Sequence, residues 1–90
     1  MVVKKMIIIN KLGLHARAAA KLVALASQYS CDITIQRDTE PPINAKSIMA
    51  VMMLAAGRGI ELTFVTEGDE EAIAMGRIKK LVEERFGESE

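Results

Sequence analysis

The spacing between apolar residues switches repeatedly along this chain, from the two-residue period of a strand to the 3.6-residue period of a helix. "VVKKMIII" is rich in β-branched residues and reads as a strand. "HARAAAKLVALASQY" then sets Ala19, Leu22, Val23 and Ala26 at helical spacing. "CDITIQRD" alternates Ile33 and Ile35 with polar neighbours, and "TEPPINA" follows as a short extended piece whose two prolines push it to a sheet edge. "KSIMAVMMLAAG" returns to the helical period and predicts a left-handed cap at Gly57. Gly59 releases the chain into "IELTFVTE", which puts Ile60, Leu62, Phe64 and Thr66 on one face. "GDEEAIAMGRIKKLVEERFG" opens with acids, closes on Arg85 and Gly87, and sets Ala72, Met75, Ile78 or Lys79, and Val82 along one stripe. The predicted order is βαββαβα.

Four half-buried strands and three one-sided helices predict an α+β fold, an open-faced two-layer sandwich. Three helices cover one face of a four-stranded sheet and the other face meets water, which requires an antiparallel or mostly antiparallel sheet. With 90 residues there is room for a single domain, 1–90. Its core must be aliphatic, because Tyr29, Phe64 and Phe86 are the only aromatics.

Charge and cysteine usage remove several functions. Lys plus Arg number 12 and Asp plus Glu 12, so no net field draws the chain to nucleic acid or to an anionic membrane. One cysteine, Cys31, excludes an internal disulfide and suits a reducing compartment. The apolar run after Lys5 is too short for a signal-peptide core or a membrane span, which predicts a cytoplasmic protein without membrane insertion. No metal site is expected, with no second histidine and no cysteine pair. Phosphate-loop and dinucleotide fingerprints are absent, and no cofactor is expected.

The one histidine is the outstanding residue. "NKLGLHARAAAKLV" places His15 at the mouth of the first predicted helix, after a turn that Gly13 permits. The backbone N–H groups of Ala16, Arg17 and Ala18 have no acceptor within that helix, and together with its macrodipole they favour an anion. An imidazole with a free nitrogen lone pair can attack an electrophile there, and Arg17 adds a planar fork matched to phosphate oxygens. A histidine that accepts a phosphoryl group is one reading. The other is that His15 merely occupies the cap position, where Ser, Asp or Asn would serve better.

"GLHARAAAKLV" resembles the active-site segment of the HPr phosphocarrier family of the bacterial phosphotransferase system. "INAKSIMAVMMLAAGRGIELTFVTEGDEEAIA" is similar to that family's second signature, in the expected order. "NKLGLHARAA" leans to the nitrogen-related branch, while "NAKSIM" resembles members with a regulatory serine. The resemblance implies an open-faced sandwich. It implies that His15 takes phosphate on Nδ1 from enzyme I and passes it to an EIIA-type acceptor subunit, while Arg17 steadies the phosphate. It implies a monomer, and Ser47 as the target of an HPr kinase/phosphorylase. Ala18 departs from the pattern by standing where the family usually has proline. That loosens the helix start by about 0.4 to 1 kcal/mol.

Ser47 also has a structural reading as the N-cap of the second helix, without a capping box because position 50 is Ala. In that helix Val51 and Leu54 are expected to face the core, turning Ile48, Met49 and Met52 outward as an adaptable docking patch. Arg17, Lys21 and Lys46 would border it. Met6, Met53 and Met75 are expected in the core. Beside the carrier stands a rival reading, a regulatory binding module of the same fold whose partners respond to its phosphorylation state.

Overall fold

The computed structural model describes residues 1–90. In chain order the elements are β1 (Val2–Ile7), α1 (Ala16–Ala26), β2 (Asp32–Arg37), β3 (Ile43–Asn44), α2 (Ile48–Met53), β4 (Glu61–Glu67) and α3 (Glu71–Glu83), with a 3-10 turn at Arg85–Gly87. The strands form one antiparallel sheet in the order β1-β4-β2-β3. This is the predicted α+β sandwich.

The register explains the core. Met6 pairs with Leu62, Ile35 with Phe64 and Ile33 with Thr66, so one sheet face stacks apolar partners beneath the helices. Thr66 is the exception among them, and its hydroxyl donates to the Glu71 carbonyl at 2.8 Å. From α1, Ala18, Ala19, Leu22 and Ala26 are buried, while Val23 is only half-buried. α1 packs on α2 and α3, α2 on β3, and α3 on β4 and β1. All the buried apolar residues join in one cluster.

Both sheet edges are short of invitation. β3, paired only with β2, is two residues long. β1, at the other edge, carries exposed Lys4 and Lys5 at its centre.

Three details differ from expectation. α2 ends at Met53, and the left-handed residue after it is Ala55 (φ 51), not Gly57. Arg37 accounts for this, because its guanidinium donates to the carbonyls of Leu54 (2.8 Å) and Ala55 (3.0 Å) and so satisfies the helix end without glycine. Met53, expected in the core, is 80% exposed, because the early stop leaves it on the outer side of the last turn. In α3 the buried stripe is Ala74, Met75, Ile78 and Val82. Ala72 and Lys79 are exposed, because Ala72 lies about 200° around the helix from buried Ala74 and Lys79 falls outside the Ala74, Met75, Ile78 and Val82 stripe.

Candidate functional site

The loop between β1 and α1 is built to present His15. Ile8 continues the sheet by bonding to Ile60 and Gly59. Asn10, fully buried, closes a turn in which its side-chain Nδ2 donates to the Gly13 carbonyl at 2.8 Å and the Gly13 N–H donates to the Asn10 carbonyl at 3.1 Å. Gly13 lies at φ +66, and a Cβ there would stand 2.5 Å from the Ala56 carbonyl oxygen. The close approach lets Leu14 N–H bond that same oxygen at 2.9 Å, tying the loop to the segment after α2.

His15 is the N-cap of α1, and its side chain makes no capping bond. Within the helix Ala19 is the first to donate backward, to the His15 carbonyl at 2.8 Å, which leaves the N–H groups of Ala16, Arg17 and Ala18 without helical acceptors. The ring is partly exposed, at 28%. It faces an open cleft of about 860 Å³ that Lys11, Arg17 and Lys21 line together with the C-terminal residues Gly87 to Glu90. Arg17 is exposed and forms no ion pair, so its fork is free to meet an anion. Ala16 also lines the cleft, whereas Ala18 does not and is packed in the core.

The C-terminal tail is the part of this site that sequence reasoning missed. After α3 the chain turns through left-handed Arg85 and Phe86 and buries the Phe86 ring. Lys21 Nζ donates to the Phe86 carbonyl at 2.7 Å, and Lys11 N–H donates to the Glu90 carbonyl at 2.9 Å. Between these anchors lies Glu88, whose Oε1 accepts from Asn10 Nδ2 at 2.9 Å and whose Oε2 contacts His15 Nε2. The hydrogen bond from Asn10, then that from His15, hold the Glu88 carboxyl below its ordinary value of 4.5. Its contribution to docking the tail is therefore complete above that ordinary value and is lost as the pH falls through the lower folded value. The signal available in the sequence was an aromatic followed by glycine and acids beyond the last helix, a pattern that also fits a plain helix stop.

Ser47 caps α2, its Oγ accepting from Ala50 N–H at 3.3 Å. Ile48, Met49 and Met52 are exposed, while Val51 and Leu54 are buried. Leu12, also exposed, lines the His15 cleft. Of the bordering lysines, Lys21 is tied to the tail and Lys46 donates to the Tyr29 carbonyl at 2.6 Å. No group of three His, Cys, Asp or Glu side chains converges as a metal site. No helix is long and apolar enough to cross a membrane.

The fold is an open-faced sandwich, and its one histidine stands partly exposed at a helix mouth, in one cleft with an arginine that forms no ion pair. A family profile described as "PTS HPr component phosphorylation site" matches residues 2–84. The phosphocarrier protein HPr of Pseudomonas aeruginosa is 53% identical over 83 residues, covering 92% of each chain. The crystal structure of HPr-C-His from Thermoanaerobacter tengcongensis superposes with a TM-score of 0.95 at 40% identity, covering 100% of both chains. The chain belongs to the HPr family of phosphocarriers of the phosphotransferase system. Bacillus subtilis Crh, a catabolite repression protein, is similar at 36% identity and a TM-score of 0.74, covering 94% of this chain and 97% of Crh. Crh is described as a dimer with a swapped domain, so the monomer implied by the resemblance is not general among these relatives.

Proposed function

We propose that His15 is the phosphoryl acceptor, taking phosphate from phosphorylated enzyme I and handing it to an EIIA-type subunit, while Arg17 and the N–H groups of Ala16, Arg17 and Ala18 receive its charge. The observation that carries this is the partly exposed His15 ring at the mouth of α1, in one cleft with unpaired Arg17. The chain takes the phosphate itself and turns over no substrate, residues 1–90 acting as one unit in the cytoplasm. Exposed Ile48, Met49 and Met52, bordered by Lys21 and Lys46, are the docking surface for both partners. Apolar residues flanked by cations suit partners with acidic rims.

Label from phosphoenolpyruvate, delivered through enzyme I, is expected on wild type as an acid-labile, base-stable adduct. His15→Ala is expected to carry none, and Met49→Asp to be labelled more slowly with its fold intact. An unlabelled wild type sinks the reading, and equal labelling of Met49→Asp removes the docking surface from it.

A second reading, a regulatory module controlled at Ser47, draws support from the likeness to Crh and from half-buried Ser47 preceding exposed Ile48 and Met49. A phosphate there adds roughly two negative charges to the rim of the apolar patch and opposes docking on acidic surfaces. Incubation with an HPr kinase and ATP is expected to add one phosphate by intact mass and none to Ser47→Ala. No mass change on wild type removes this reading.

A further inference from the structure

We propose that Glu88 is a positioning residue for phosphoryl transfer: seated by Asn10, its carboxylate keeps the proton of the neutral His15 ring on Nε2 and leaves Nδ1 as the attacking atom. This rests on the acceptor reading of His15 and deepens it. An ionised carboxylate can only accept hydrogen bonds, so the ring nitrogen it contacts must be the one that carries hydrogen. A neutral imidazole has a single N–H, and with that on Nε2 the lone pair is on Nδ1. Nδ1 has no partner from the chain, since the side chain makes its hydrogen bond through Nε2 and none as a cap.

The seat of the carboxylate is equally determined. Asn10 is buried, and its amide nitrogen donates both to the Gly13 carbonyl and to Glu88 Oε1, at 2.8 and 2.9 Å. Turning the amide over would aim its oxygen at two acceptors. Asn10 thus presents a fixed donor, and Glu88 answers it with one oxygen while the other meets His15. Buried Phe86 and the Lys21 and Lys11 bonds hold the tail in place on either side.

In the transfer the Nδ1 lone pair forms the new P–N bond. The bond from phosphorus to the donor atom breaks, and its electron pair leaves with the donor. Nε2 keeps its hydrogen throughout, and the positive charge that develops on the ring lies beside the Glu88 carboxylate. Passing the phosphate onward reverses these changes, so neither direction requires a proton to be gained or lost.

Glu88→Gln is the decisive variant because its amide must choose an orientation. Its oxygen is expected to turn to the Asn10 donor, which aims its NH2 at His15 Nε2 and forces the ring proton onto Nδ1. In the 15N spectrum of the unphosphorylated protein, taken at a pH where the ring's own shifts show it neutral, wild type is expected to be protonated on Nε2. Glu88→Gln should be protonated mainly on Nδ1, and Glu88→Ala should be a mixture. Labelling through enzyme I should slow by at least about tenfold in Glu88→Gln and by less in Glu88→Ala, with circular dichroism unchanged. A labelled wild type whose tautomer or transfer rate is unaltered by Glu88→Gln overturns the role of Glu88 alone. A wild type that takes no label overturns the acceptor reading and this role together.

Discussion

Phe86→Ala is expected to lower the unfolding free energy by about 3 kcal/mol and to release Glu88 from His15 in the molecules that stay folded. The ring is fully buried although it lies beyond the last α-helix, so the core depends on a residue that the helical period does not reach. Truncating a buried phenylalanine costs about 3 to 5 kcal/mol, and the lower end applies because a terminal segment can shift to fill part of the space. Losing the ring also removes what presses the Phe86 carbonyl against Lys21 Nζ. Urea denaturation measures the first effect. The His15 tautomer, read as for the Glu88 variants, measures the second. A loss below about 1 kcal/mol would mean that the tail rides on the surface instead of completing the core.

Gly13→Ala is the second large effect, and it comes from the backbone. The position has φ +66, where a Cβ costs about 1 to 2 kcal/mol. The new atom would also meet two backbone atoms, the Ala56 oxygen at 2.5 Å and the Gly57 Cα at 2.7 Å, neither of which can rotate away. The loop must therefore part from the segment after α2, breaking the Leu14 to Ala56 hydrogen bond, for a total of about 3 kcal/mol. Because that loop carries His15, phosphorylation should slow as well. Gly76→Ala is the control, since a Cβ there meets nothing within 4 Å and removing a mid-helix glycine stabilises by about 0.5 to 1 kcal/mol. Equal melting temperatures for Gly13→Ala and wild type would contradict the close approach.

Most of the architecture was legible because each element has its own period. Ile33 and Ile35 in β2, and Leu62 and Phe64 in β4, read as inward-facing strand residues and are buried. His15 at the start of α1 was legible from Gly13 before it and the alanine-rich run after it. What escaped depends on contacts distant in the chain. Glu88 reaches His15 across 73 positions and Asn10 across 78, and no local pattern encodes either meeting. The end of α2 escaped for the same reason, because Arg37 from β2 supplies a cap that local spacing assigned to Gly57. Met53 followed from that error. Ala72 and Ala74 were interchangeable to a hydropathy pattern because alanine weighs little on either side of a helix.

A relay protein works by meeting many partners briefly, which requires it to stay dispersed when abundant. Antiparallel pairing of two β1 strands about their midpoint would set Lys4 of one copy against Lys5 of the other, a repulsion that grows as salt is removed. The opposite border offers only Ile43 and Asn44, too little backbone to template a growing fibril. Neither border of the sheet therefore favours edge-to-edge pairing between copies.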